Sequence, residues 1–250
     1  LKQRLLERRA ELGITSDDVT FTPPVDDMPQ RGHGTSRLAL SMGASTVGRG
    51  FYQLEHRVAL HDLADRSAGY AEYAQLEFLP FRLRFGAETQ RLRLEDLSLV
   101  RILSLNPVSR FDLKPSWKIE VGATTYRDKG CEQCTLGLVK FGSGFAANAG
   151  PMTAFATADL AFSGPRFSGD GKAVRFTVGP SAGVRLRVAK NLLWLTKGSW
   201  GVLPFQSTPR TTWEATSAVR WSYAQNFAAG IEGRAQPEAQ EAMVSTYVYF

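Results

Sequence analysis

The segment 173–188 alternates between apolar residues and small or polar residues without interruption. Its apolar face consists of Val174, Phe176, Val178, Pro180, Ala182, Val184, Leu186 and Val188. Its other face carries small, hydroxyl and charged side chains, including Arg175, Arg185 and Arg187. Strands of soluble proteins usually have about 5–6 residues, whereas a tilted strand that crosses a membrane needs about 9–11 residues in the hydrocarbon layer. The segment therefore predicts a membrane-spanning β-strand.

The C-terminal residues 242–250 alternate in the same way and end on Phe250, with Val244, Thr246 and Val248 on the same face as Phe250. In a closed β-barrel the last strand pairs with the first, so a strand can continue to the chain end. The pattern resembles the terminal strand of bacterial outer-membrane barrels, where a final Phe is the signal for the barrel-assembly machinery. The alternative is an ordinary buried strand of a soluble β-sandwich.

Alternation also marks residues 79–85, 117–123 and 213–221, and the last of these has a Trp near each end. Aromatic residues at both ends of an apolar stripe are typical of the two membrane–water interfaces. Turn-like stretches divide the rest of the chain into about twelve strands, an even number as in bacterial barrels. We therefore predict an all-β fold, a transmembrane antiparallel up-and-down β-barrel, with a bulge where residues 97–103 shift phase.

The composition argues against two other classes of protein. The 250 residues suit one large β domain. No run of about 18 apolar residues is present that would form a membrane helix. The net charge is +6, but the basic residues are spread singly along the strands, which argues against a nucleic-acid partner. The predicted location is the bacterial outer membrane, with the lipid bilayer and its lipopolysaccharide as surroundings.

The N-terminal region has a different composition. Residues 1–13 predict a short amphipathic helix, and residues 14–35 hold several Pro, Gly and Asp and predict a linker. The chain begins without Met or a signal segment, so we expect it to be a piece of a longer product. The predicted organisation is a helix and Pro-rich linker from an upstream periplasmic domain over 1–35, and an outer-membrane barrel over 36–250.

Two cysteines, Cys131 and Cys134, form a Cys-x-x-Cys stretch between predicted strands. Such a stretch can be redox-active or half of a zinc site, but no second Cys pair or nearby His completes a metal shell. We therefore predict a local disulfide in an oxidising compartment, and no metal or cofactor.

Two long turns have the least generic sequences, at 57–70 and 104–118. Together with residues 32–38 and the Cys pair, they resemble the C-terminal barrel region of a proteobacterial family of unknown function. Its members carry a periplasmic N-terminal domain similar to the Lnb lipoprotein N-acyltransferases, which have a papain-like fold. The resemblance covers roughly residues 30–250. It implies that any catalytic domain lies upstream, so no catalytic residue is assigned and this segment is not expected to be an enzyme.

We expect the two long turns to pack together at the periplasmic rim and to hold the upstream domain. The residues concerned are His61, Asp62, Asp65, Tyr70, Asn106, Pro107, Arg110, Phe111 and Trp117. His33 is predicted to be too mobile to act as a general base unless it docks. His61 beside Asp62 is interpreted as structural rather than catalytic, and the carboxylates of Asp62 and Asp65 are a thin shell for calcium.

Charged residues at lumen positions allow two interpretations. They include Arg82, Arg84, Arg175, Arg185 and Arg187 with Glu120 and Glu214. A buried charge must pair or meet water, so we favour a cross-braced interior over an anion-preferring pore. The leading hypothesis is a membrane anchor and docking platform for a periplasmic domain, possibly acyltransferase- or peptidase-like. The alternatives are an outer-membrane channel or transporter and a barrel-embedded lipid-modifying enzyme.

Overall fold

The computed structural model describes residues 2–11, 28–128, 131–168, 174–205 and 210–250. The chain opens with one helix, α1 (Lys2–Glu11), whose Leu5 and Leu6 are exposed. A 3₁₀ turn, Pro29–Arg31, lies shortly before the first strand. Among the described residues, no helix has the length and apolar character needed to cross a membrane.

Among the described residues, fourteen strand segments follow one another in chain order. They are β1 (Arg37–Ser45), β2 (Arg49–Arg57), β3 (Ala59–His61), β4 (Ala74–Phe78), β5 (Phe81–Gly86), β6 (Leu92–Ser104), β7 (Ser116–Asp128), β8 (Cys131–Ala149), β9 (Met152–Ser168), β10 (Arg175–Ala189), β11 (Leu192–Leu203), β12 (Arg210–Ala224), β13 (Phe227–Gln236) and β14 (Ala239–Tyr249).

The strands form one closed antiparallel barrel of twelve strands. β14 pairs with β1, where Arg37 lies opposite Tyr249, and the β6–β7 pairing completes the ring. The short strand β3 extends β2 after a local break, and the short strand β4 precedes β5 with a break between them. β3 pairs with β4, and β4 pairs with the C-terminal part of β6. Pro80 lies in one break and lacks the N–H that a continuous ladder needs. The predicted fold and strand number are confirmed.

Side chains alternate between lumen and outer surface as the period-2 pattern predicts. In β14 every second residue from Ala239 to Tyr249 is buried, while Val244, Val248 and Phe250 are exposed on the outside. β10 follows the same rule, with Arg175 and Arg185 buried in the lumen. The predicted bulge is also present, because the β6–β7 register shifts between Ser98 and Val100.

The cysteines lie at the start of a strand rather than in a loop, since Cys131 begins β8 opposite Asp128. Extended pairing thus includes Asp128 and Cys131 on the two sides of the predicted loop. Cys134 is buried. The side chain of Cys131 lies outside the described residues, so its pairing with Cys134 stays a prediction.

The connection between β3 and β4, residues 62–73, folds into the barrel, and we call it the inward turn. Leu63 and Ala64 at its tip are buried. They belong to one apolar cluster with Leu103, Leu105, Ala146, Phe155 and Leu195. The inward turn enters from the rim where residues 36 and 250 lie, which we call the chain-end rim. An apolar layer and a turn therefore occupy the lumen at this end.

Candidate functional site

The inward turn carries one fully buried carboxylate, Asp65, into a group of arginines. Arg57 Nη2 donates to Asp65 Oδ2 at 2.8 Å, and Arg37 Nη1 donates to Oδ1 at 3.3 Å. Arg220 also donates to Oδ1, and Tyr249 Oη donates to the same oxygen at 2.7 Å. The carboxylate thus joins strands β1, β2, β12 and β14.

Local hydrogen bonds shape the tip of the turn. Ala64 N donates to Asp62 Oδ1 at 2.8 Å, and Asp62 N donates to Asp65 Oδ2 at 3.1 Å. Asp side chains commonly bond to backbone N–H groups two or three residues away, and this bonding favours tight turns. The tip is therefore a compact turn that presents both carboxylates to the arginines.

The arginines decide the charge state of the two acids. Burial alone would raise the pKa of the Asp65 carboxyl, but Arg57, Arg220 and Arg37 outweigh it and hold that pKa well below its usual value. Burial likewise opposes ionisation of Asp62, and Arg220 and Arg37 lower its pKa in the same way. Both acids are therefore ionised, as a buried charge with good partners requires.

A stack of aromatic rings covers the Asp65 site toward the chain-end rim. The His61 and Tyr70 rings are 5.0 Å apart between centroids and nearly parallel. His33 packs between them and Tyr249, at 4.6 Å from Tyr70 and 4.3 Å from Tyr249. His33 is buried and docks on Tyr70 and Tyr249, which is the exception named in the sequence analysis.

His33 belongs to residues 28–36, which lie against the chain-end rim and which we call the arm. Tyr70 Oη donates to His33 O at 2.7 Å, and Gly34 N donates to Asn226 Oδ1 at 3.0 Å. Gly69 has a φ of +75°, and a Cβ there would come within 2.7 Å of Gly32 N. The arm and the inward turn therefore meet at a contact that requires glycine.

The neutral form of His33 is favoured in this setting. Burial lowers the pKa of its imidazole from 6.5, and the charges of Arg57 and Arg37 act in the same direction. Asp65 and the bond to Gly34 O raise that pKa without reversing the shift. His33 is therefore an uncharged aromatic and hydrogen-bonding group at pH 7.

Beyond the inward turn, the lumen holds a polar cavity of about 390 Å³. It extends to Gln236 and Pro237 at the opposite rim, and nine basic and nine acidic residues line it. Many of these pair across the barrel, as Arg101 does with Asp96 and Glu120, and Lys118 with Asp159. The balance of charge favours the predicted cross-bracing over an anion-preferring pore.

The predicted lumen charges are distributed along this interior. Arg82 pairs with Glu55 at 3.2 Å, Arg84 with Glu241 at 2.6 Å, and Arg185 with Glu72 at 2.9 Å. Arg175 lies over the Tyr126 ring and Glu214 pairs with Arg234. Arg187 differs because it lies at the chain-end rim with nearly half of its side chain exposed.

The second long turn is only partly joined to the first. Leu105 shares the apolar cluster of the inward turn, and its N–H donates to Tyr73 O at 2.8 Å. Asn106 bonds to Pro115 O and Ser116 Oγ, and Pro107 bridges to Ala146. The remaining predicted contacts lie elsewhere: Arg110 and Phe111 are exposed, and Trp117 is on the outer face of β7.

Sequence reasoning missed Arg37 and Tyr249 as partners of Asp65. Both lie on the lumen side of their strands and face one another across the β1–β14 pair. Strand parity places them in the lumen, and pairing of the first and last strands places them together. No local pattern indicates that the inward turn would reach them.

Comparison with known protein families assigns the chain. The model of the domain of unknown function DUF7840 matches residues 26–249. This chain belongs to the DUF7840 family. The match agrees with the predicted membership of a family of unknown function, whereas the Lnb-like N-terminal domain stays a prediction. No curated protein matches the chain by sequence.

Solved structures place the fold in the bacterial outer membrane. An outer membrane channel from Pseudomonas putida F1 aligns with a TM-score of 0.50 and 13% identity, over 95% of this chain and 100% of the channel. The NanC porin aligns with a TM-score of 0.49 and 8% identity, over 85% of this chain and 98% of the porin. This chain is an outer-membrane β-barrel, and identities this low establish the fold alone.

Proposed function

We propose that this barrel is a membrane anchor, closed at its chain-end rim, which holds the preceding chain in a fixed position. Outer-membrane barrels turn their short connections toward the periplasm. The chain-end rim has three two-residue turns, at 150–151, 190–191 and 225–226. The inward turn and the arm then lie on the periplasmic side, where a tethered domain would need support.

The single observation that carries this proposal is the docking of the arm. Gln225 Nε2 donates to Gln30 O and Gly32 O, at 3.1 and 2.7 Å, and Asn226 and Tyr70 bond to the next two residues of the arm. A freely hinged tether would not form bonds to two separate segments of the rim, the 225–226 turn and the inward turn. The arm therefore leads from the barrel in a defined direction.

A protease experiment tests the anchor. Arg31 is exposed in the arm, and the next Arg or Lys toward the N-terminus is Arg9 in α1. Shortening residues 62–73 to a Gly-Asn connection removes Asp65 but also opens the lumen, so its arginine partners meet water instead of staying buried without a partner. The barrel should therefore stay folded, as heat-modifiable migration on gels would show. Trypsin should then cut after Arg31 at least about tenfold faster, with cleavage after Arg9 as the reference within the same molecule. Unchanged cleavage after Arg31 would contradict the anchor.

The second candidate function is a channel, which is what the structural neighbour from Pseudomonas putida F1 is. In this chain the polar cavity that reaches the opposite rim supports it. Against a channel, Leu63 and Ala64 lie in the lumen with their apolar cluster, on the chain-end side of that cavity. The same shortened variant separates the two functions in planar bilayers. Steady conductance by the unmodified protein favours the channel, whereas conductance by the variant alone favours a barrel closed by its inward turn.

The hypothesis of a lipid-modifying enzyme requires a His on the lipid-facing wall, beside a nucleophile. His61 is buried among His33, Tyr70 and Asp65 instead. His56, on the outer face, packs against the rings of Phe81 and Phe250. We therefore assign no catalytic residue to this segment.

A further inference from the structure

Three buried side chains from separate parts of the chain bring ligand atoms together beneath the arm. His33 Nε2 is 3.4 Å from His61 Nδ1 and 3.9 Å from Asp65 Oδ2. One ligand atom from each residue lies within 4.8 Å of the others, the one such group among the described His, Cys, Asp and Glu residues. His33 comes from the arm, His61 from β3 and Asp65 from the inward turn.

We propose that His33, His61 and Asp65 bind a divalent transition-metal ion of the zinc type. Two nitrogen ligands that lie about 2.0–2.1 Å from a tetrahedral zinc ion are about 3.3–3.4 Å apart. The observed His33–His61 separation of 3.4 Å matches that value. It exceeds the usual hydrogen-bond length of about 2.9–3.0 Å, so a direct bond between the rings is a weaker account of the arrangement.

The hydrogen bonding of His33 suits a metal ligand. Its Nδ1 lies 2.7 Å from Gly34 O. A carbonyl only accepts, so Nδ1 carries the hydrogen and the lone pair is on Nε2, which faces His61 and Asp65. This arrangement, with one ring nitrogen donating to a backbone carbonyl and the other free to coordinate, is the usual outer-shell support of a zinc-bound histidine.

Asp65 is the weakest of the three ligands, because Arg57 and the Asp62 N–H already donate to its Oδ2. The two imidazoles would therefore contribute most of the binding free energy of the ion. Charge nevertheless favours a cation. Among the described ion pairs, the network that contains Asp65 has five arginines and six carboxylates: Arg37, Arg57, Arg82, Arg101 and Arg220 with Glu55, Asp62, Asp65, Glu77, Asp96 and Glu120.

A bound ion would link the arm to the inward turn, which adds a metal-dependent clasp to the contacts described above. The site stands on its own geometry, whether the barrel anchors a domain or conducts solutes. Metal binding and arm cleavage can each be measured without a conductance assay, so a failure of this site is distinguishable from a failure of the proposed function.

The experiment uses the refolded full chain in detergent, first stripped with EDTA. Zinc retained after addition of zinc chloride and desalting is measured by mass spectrometry, and cobalt in place of zinc is followed by its visible absorption. The variants are H33N and H61N, and the matched control is H56N, which changes the remaining histidine of the chain. Heat-modifiable migration on gels checks that each variant is folded.

We expect the unmodified protein and H56N to retain a single zinc ion per chain and to show a tetrahedral cobalt spectrum. H33N and H61N should bind at least about tenfold more weakly. Zinc should slow trypsin cleavage after Arg31 in the unmodified protein but not in H33N. The proposal is overturned if the unmodified protein retains no zinc, or if H33N and H61N bind as tightly as H56N.

Discussion

Tyr249 donates a 2.7 Å hydrogen bond to Asp65, although 184 residues separate them in the chain. The bond joins the last strand residue to the tip of the inward turn. Arg37, opposite Tyr249 on the first strand, binds the same carboxylate. The seam where the barrel closes is therefore also the place where the turn is held.

Asp65→Asn should strongly destabilise the protein. The variant keeps the size of the side chain but removes the charge that three arginines share, and an uncompensated buried charge costs about 3–5 kcal/mol. The midpoint of urea unfolding in detergent, followed by Trp fluorescence, should fall accordingly. Asp112→Asn in the second long turn is the matched control and should leave the midpoint unchanged, because the one ion pair of Asp112 among the described residues is with the exposed Lys114. Equal midpoints for both variants would contradict the role of Asp65.

Arginine substitutions in β10 test which face meets the lipid. Val178 and Val184 are exposed on the outer surface, whereas Thr177 lines the cavity. Val178→Arg and Val184→Arg should each cost up to about 2–4 kcal/mol in lipid, less near an interface. Thr177→Arg should be tolerated better, since its charge meets the polar lumen. The measure is the folded fraction in lipid vesicles, and equal yields of all three variants would mean that the faces are wrongly assigned.

Docking of the arm should weaken at acidic pH. The pKa of His33 is lowered below 6.5 when the arm is docked, so the undocked arm binds more protons between the two pKa values. The contribution of His33 to the stability of the docked arm is complete above pH 6.5, the pKa of the undocked imidazole. It is lost as the pH falls through the lower pKa that the imidazole has in the docked arm. One histidine can change the docking equilibrium by at most about tenfold per pH unit.

The readout is trypsin cleavage after Arg31, divided by cleavage after Arg9 at each pH so that the pH dependence of the protease cancels. The ratio should rise as the pH is lowered from 7 toward 5. His33→Gln, which does not titrate, should flatten the profile. A profile that is the same in both proteins would exclude His33 as the titrating group.

The predicted Cys131–Cys134 disulfide should protect both thiols in denatured, unreduced protein. Cys134 is buried in the folded barrel, so a maleimide reagent must be applied in denaturant, with reduced protein as the positive control. The closed loop is very short, so Cys134→Ser should cost less than the usual figure of about 2–4 kcal/mol. Labelling without reductant would refute the pairing.

The barrel itself could be predicted from sequence because strand alternation is a local signal. Alternate residues of β10 and β14 face the lumen and the lipid. Closing the sheet into a barrel does not change this alternation. The strand that ends at Phe250 indicated, in addition, that the last strand pairs with the first. The turn-like stretches gave the strand number, and the alternation gave the faces of Val178 and Val184.

The Asp65 site could not be predicted in the same way. Its sequence predicts a long turn that packs at the periplasmic rim, and nothing local in it indicates that the turn folds into the lumen. Arginines on strands that are distant in sequence stabilise the turn in the lumen. These arginines become neighbours only in the finished fold. Docking of His33 depends on the same distant residues, since Tyr249 and Tyr70 form its surface.

The ligands of Asp65 also set an order of events during biogenesis. Arg37 and Arg57 lie opposite one another on the first two strands. Arg220 and Tyr249 come close to them only when β14 pairs with β1. Before that moment the carboxylate would enter the lumen with half of its partners missing, so the turn gains its full stability only at the last step. Closure of the barrel and full anchoring of the inward turn are therefore coupled, because both depend on the pairing of β14 with β1.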